Sequence, residues 1–145
     1  MDLPATITVT IWHDPVVDPI GYPAASGYVE AFWLPIIGPS ATWALRRLTG
    51  MATACPDGAR LPLTELALSL GLGAGTGRNA PIVRTISRLV TFGLARLNPD
   101  GTLAVRARVA PLTNRHLLRL PPTLRAAHDK AIATRAAAAP APQPA

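Results

Sequence analysis

The spacing of apolar positions divides this chain into elements before any other property is needed. Leu63, Leu66, Ala67 and Leu70 fall at i, i+3, i+4 and i+7, with Glu65 and Ser69 off that stripe, which predicts a short helix. Pro62 suits its first turn, and Gly71 is placed to end it. A polar turn rich in glycine (Gly73, Gly75, Gly77) follows. A second helical pattern, from about 79 to 92, then puts Ile82, Val83, Ile86, Leu89 and Val90 on one side. At roughly 100° per residue, Arg84 and Arg88 point away from that side, Ser87 and Thr91 flank them, and Thr85 sits at the edge of the polar face. Asn79 is the expected N-cap, with Pro81 in the first turn. The period then changes to two. Leu94 to Leu97 and Thr102 to Val109 bracket Asn98-Pro99-Asp100-Gly101, a hairpin signal. In the second strand Leu103, Val105, Ala107 and Val109 alternate with Ala104, Arg106 and Arg108, which predicts one apolar face and one basic face.

Upstream, Thr6 to Trp12 is β-branched and alternating, a strand that pairs with the hairpin or with its copy in a second subunit. His13, Asp14 and Asp18 raise a metal reading. Both Asp-Pro pairs start turns, however, and no second ligand cluster appears, so a structural turn is the better account. Tyr28 to Leu34 reads as a short helix interrupted by Pro35 and Gly38-Pro39. Its aromatic residues read as core or interface rather than as a base-stacking platform, because no Arg or Lys is interleaved. Pro39 to Ala52 is the next helix, with Ala41, Ala44, Leu45, Leu48, Met51 and Ala52 as its core stripe. Arg46 and Arg47 on its other side suit either phosphate or plain solvent. After the hairpin, helices are expected over Leu112 to Leu120 and from Pro122 onward. The Ala/Pro-rich end from Arg135 cannot bury a core and reads as disordered.

Composition narrows the function. The 145 residues give room for one modest core. The lone Cys55 supports neither a disulfide frame nor a zinc site. The N-terminus lacks a basic n-region, and no apolar run approaches the ~18–20 residues of a membrane span, so a cytoplasmic protein is expected. The net charge of +6 is unevenly placed. Residues 1–45 carry Asp2, Asp14, Asp18 and Glu30 and no Lys or Arg, whereas all 14 basic residues lie beyond them. A basic module with an acidic extension suits a polyanion. Thirteen of those 14 residues are Arg, which together with abundant Ala, Gly and Pro reflects a GC-rich coding sequence as much as a need for forked contacts.

Support helix, turn, arginine-bearing helix and hairpin, in that order, resemble the winged helix-turn-helix superfamily of bacterial regulators over residues 39–109. The turn with its three glycines is longer than the superfamily's usual turn. The whole chain, including His13-Asp14-Pro15, Phe32-Trp33-Leu34-Pro35, Gly38-Pro39-Ser40 and Leu120-Pro121-Pro122, also resembles a group of short helix-turn-helix proteins of GC-rich bacteria. The resemblance implies a helix-turn-helix fold and no named activity. The expected class is α+β, mainly helical with a small β-hairpin wing. Residues 1–26 form an N-terminal strand and loop extension, 27–110 the winged domain, 111–134 the C-terminal helices and 135–145 a disordered tail.

The expected function is a DNA-binding transcriptional regulator, associated with the nucleoid when bound, that takes double-stranded DNA as a homodimer through its C-terminal helices or N-terminal strand. Arg84 and Arg88 read or position in the major groove, Arg78, Asn79 and Thr85 assist, and Arg96, Arg106 and Arg108 grip the backbone. The alternative is a winged-helix module that binds a protein partner and no DNA. An enzyme is not expected: no nucleophile–base pair or phosphate loop is present, and Gly71-Leu72-Gly73-Ala74-Gly75 follows a helix rather than a strand. No cofactor, metal or membrane is implied.

Overall fold

The computed structural model of the protein describes residues 1–138 and divides the chain into two units, Met1–Pro111 and Leu112–Ala145. The fold of the first unit is α+β. Its strands are β1 (Thr6–Ile11), β2 (Tyr22–Pro23), β3 (Ala59–Pro62), β4 (Ala95–Leu97), β5 (Thr102–Val105) and β6 (Arg108–Val109). Its helices are α1 (Leu34–Ile37), α2 (Pro39–Ala54), α3 (Leu63–Ser69) and α4 (Pro81–Thr91), with a π-helical turn over Val29–Trp33 leading into α1.

The main sheet has the order β3-β1-β5-β4. β1 runs antiparallel to β3 (Ile7 opposite Leu61) and parallel to β5 (Val9 opposite Leu103), and β4 and β5 form the hairpin. The segment expected as an extension is therefore a central strand, with Ile7 and Val9 fully buried. Of the two pairings expected for it, the one with the hairpin is present, and both of its edges are used within the chain. β5 is likewise covered on both faces: Leu103, Ala104 and Val105 are all buried. The expected polar face of that strand does not exist at Ala104. The strand also ends early, at Val105, and β6 pairs instead with β2.

α2 packs on the sheet, and α4 packs on α2 and α3. The helix stripes fall where the periodicity places them: Ala41, Ala44, Leu45, Leu48 and Ala52 of α2, and Leu63, Leu66 and Ala67 of α3, are buried. Gly71, at φ +71°, closes α3 as its neighbour Leu72 donates back to Ala67 O at 2.9 Å. Pro35 does not interrupt the helical run. An α-helix through it would lose a hydrogen bond and drive the ring into the preceding turn. The wider π turn, in which the Leu34 N–H reaches Val29 O, absorbs the proline instead. Tyr28, Phe32 and Trp33 are core, and the Tyr22 ring stacks on Tyr28 at 3.7 Å. The hairpin turn is as expected: Gly101 has φ +87°, and the Asp100 carboxylate accepts from both the amide and the hydroxyl of Thr102.

In the second unit, α5 (Asn114–Leu117) is shorter than expected and α6 (Pro122–Ala138) is longer. Thr113 caps α5, and the Arg125 guanidinium donates to the carbonyls of Leu117, Leu118 and Leu120, which closes the α5 end. Residues 135–138, expected as disordered, continue α6, because alanine is the best helix former and the first following proline is Pro140. The rest of the expected disordered tail lies outside the described residues.

If β1 is structural, removal of residues 1–12 strips β3 and β5 of their shared neighbour. The expected outcome is loss of a cooperative urea transition followed by circular dichroism. A truncated chain that unfolds cooperatively near the wild-type midpoint contradicts the central placement of β1.

Candidate nucleic-acid interface

α4 starts one residue later than its cap signal suggests. The N-cap is Ala80, in an extended conformation, with no side chain accepting from the first turn. Asn79 is exposed in the turn before it and is not the cap. Arg78, beside it, is exposed as well. Ile82, Val83, Ile86 and Leu89 are buried, as the periodicity requires. Thr85 departs from expectation. It is 7% exposed, not at the edge of an open face. The start of α2 packs against that edge, so the buried side of α4 is broader than a single stripe.

Arg84 is exposed, and its side chain makes no ion pair or hydrogen bond among the described residues. Arg88, one turn on, is exposed and donates from Nη1 to Ile37 O at 3.3 Å, at the end of α1. That contact orients the guanidinium without neutralising it. The ion pairs seen elsewhere, Arg46 with Glu30 and Arg106 with Asp14, leave both α4 arginines uncompensated among the described residues.

The hairpin arginines are placed differently. Arg106 stands over the Trp12 indole, with its guanidinium carbon 3.6 Å from the ring centroid. Its Nε donates to Gly93 O at 2.7 Å and its Nη1 to Asp14 Oδ2 at 2.8 Å. Only 13% of its side chain is exposed. Arg108 donates to Gly21 O at 2.7 Å. Both were expected on the backbone of a nucleic acid. Both are instead spent on holding residues 12–21 against the sheet. Arg96 is exposed and stands 4.6 Å from the same Trp12 ring, so it keeps a solvent-facing side. The structure thus gathers Arg84 and Arg88 on one helix face with Thr85 in the cleft beside them, leaves Arg78 and Asn79 in the turn that precedes it, and ties Arg106 and Arg108 to residues 14 and 21.

Reasoning from the sequence placed Asp14 in a turn but missed that it and Trp12 hold Arg106. The signal available was the Asp14-Pro15 turn. Asp14 Oδ1 accepts from the amides of Val16 and Val17 at 2.9 and 3.2 Å, which leaves Oδ2 for Arg106. The Arg106 hydrogen bond, then those two amides, hold the Asp14 carboxyl below its ordinary pKa, against a smaller opposing effect of burial. Among the described residues no three His, Cys, Asp or Glu side chains gather to hold a metal ion, and no helix is long and apolar enough to cross a membrane.

The latch makes a pH prediction. A carboxyl whose folded pKa is depressed stabilises the fold fully above its ordinary value of 3.8, and the contribution is lost as pH falls through the folded value. Wild type should therefore exceed Asp14→Asn in urea stability at neutral pH, and the two should converge at strongly acid pH. A difference that stays constant across the acid range contradicts the latch.

Comparison of the chain with protein-family models, with curated proteins and with solved structures returned no match.

Proposed function

We propose that this protein is a DNA-binding transcriptional regulator of winged helix-turn-helix type, with α4 as the helix that enters the major groove. The observation that carries the reading is the two-sidedness of α4. Four aliphatic residues anchor it in the core, and Arg84 and Arg88 stand outward, one turn apart, with no carboxylate partner. The element order α2-β3-α3-α4-β4-β5 supports the same reading, because it supplies a support helix, a second helix and a hairpin in sequence. In this account Arg84 and Arg88 contact guanine edges or flanking phosphates. Arg78 and Asn79 approach the duplex from the turn, and Arg96 reaches sugar-phosphate from the hairpin. Arg106 and Arg108 contribute through the fold alone. Such a protein works in the cytoplasm, on the nucleoid, and α5 and α6 offer the surface for a homodimer.

A second reading rests on Trp43. Its side chain, on α2, is 57% exposed beside a groove lined by Pro39, Ser40, Arg47, Ser69 and Leu70. An exposed tryptophan at a groove suits a protein partner. Capture of a partner that survives nuclease treatment, with no mobility shift on any duplex, would favour that reading.

The test is a competition gel shift between a duplex selected from genomic DNA and a scrambled one. Each forked Arg–guanine contact is worth about 1–3 kcal/mol of discrimination. Arg84→Ala with Arg88→Ala should therefore reduce the preference by at least about tenfold. Arg108→Ala should leave the preference intact and lower thermal stability. Equal preference in wild type and the double variant would remove α4 from recognition.

A further inference from the structure

Beside Arg84 and Arg88 lies a cleft of about 220 Å³, lined by Ile37, Gly38, Pro39, Ser40, Ala41, Pro81, Arg84, Thr85 and Arg88. Four features of it converge. First, α2 begins there without a cap. Gly38 is the N-cap residue at φ +84° and ψ 166°, a conformation that only glycine adopts readily, and it has no side chain to fold over the helix end. Pro39 has no N–H, and the Gly38 amide is taken by Leu34 O. The Ser40 and Ala41 amides are thus the donors left unsatisfied at the start of a 16-residue helix. Second, Arg84 and Arg88 reach the same cleft from α4, and no carboxylate lines it. Third, Thr85 is more than nine-tenths buried, lines the cleft, and has no hydrogen-bond partner for its hydroxyl among the described residues. Its hydroxyl is not among the polar atoms sealed from solvent, so it is open to the cleft and free to meet an oxygen there. Fourth, Gly38 lets Arg88 lie against the start of α2, since a Cβ there would stand 3.4 Å from Arg88 Nη1.

Two free backbone donors at the positive end of a helix dipole, a threonine hydroxyl and two guanidinium groups form a donor set with no carboxylate among them. We infer that this cleft binds one phosphate group, the Ser40 and Ala41 amides and the Thr85 hydroxyl meeting its oxygens while Arg84 and Arg88 neutralise its charge. The volume takes a tetrahedral anion together with several waters, each of which occupies roughly 30 Å³ in the liquid. The inference rests on the duplex reading for the source of that phosphate, a backbone phosphodiester, which would fix the register of α4 in the groove. The binding of a phosphate group as such rests on the cleft alone.

The experiment titrates the ¹⁵N-labelled full chain with inorganic phosphate and, separately, measures duplex affinity against salt. The expected result is saturable movement of the Ser40 and Ala41 amide signals, centred on the cleft. Ser40→Asp puts a carboxylate at the second helical position, where the dipole favours it, so the fold is retained while phosphate is repelled. This variant should bind phosphate roughly tenfold more weakly. It should also reduce the slope of log affinity against log salt for the duplex by about 0.9. Arg84→Gln, a neutral change at an exposed position, should weaken phosphate binding in the same direction. Saturable phosphate binding with no duplex binding supports the cleft and removes the duplex as its source. Unmoved Ser40 and Ala41 amides, or a Ser40→Asp chain that binds phosphate like wild type, overturns the inference. A duplex salt slope unchanged in that variant, with phosphate binding weakened, supports the cleft and removes the duplex phosphodiester as its source.

Discussion

The first unit depends on the insertion of β1 between β3 and β5. One six-residue strand satisfies the inner edges of both neighbours and buries Ile7 and Val9 under α2. Without it β5 keeps only β4 as a neighbour and β3 has none. The insertion also decides where the next residues go. The Trp12 amide bonds Val105 O at 2.7 Å, so the chain leaves the sheet beside the end of β5. From there Trp12, Asp14 and Gly21 lie directly on Arg106 and Arg108. The acidic start of the chain therefore engages the hairpin arginines and leaves those of α4 alone.

That division of labour among arginines shapes the functional reading. A guanidinium held by a carboxylate, a carbonyl and an indole face is fixed on three sides, and releasing it would leave that carboxylate and that carbonyl without it. Arg106 is such a group. Arg84 is its opposite: exposed, on a rigid helix, with every donor available. Arg88 lies between, tethered by one long contact to Ile37 O that limits where the group can swing. Pre-positioned charge on a helix anchored by four buried aliphatic residues loses little freedom on binding, which favours specific contact over loose attraction.

The helix periods were legible from the sequence because each buried stripe is a local property: α2, α3 and α4 and their inward residues follow from spacing alone. The hairpin was legible because Asn98-Pro99-Asp100-Gly101 carries its own turn chemistry. What escaped is long-range. The alternation of Arg106 and Arg108 with apolar residues describes an exposed basic face only if nothing covers it, and the cover comes from residues 12–21. Thr85 was misplaced for the same reason, since the start of α2 closes over it. Asn79 carried a capping preference, yet Pro81 fixes the first turn so that Ala80 takes the cap position. The π turn before Pro35 was hidden because a proline signals a break more often than a widened helix.

The most direct measurement of the central claim follows the arginine side chains themselves, through the Nε–Hε signals of the labelled chain with and without duplex DNA. The account predicts that the Arg84 and Arg88 signals move on binding, whereas that of Arg106, already donating to Gly93 O, stays in place. Movement at Arg106 with Arg84 and Arg88 unchanged would contradict it.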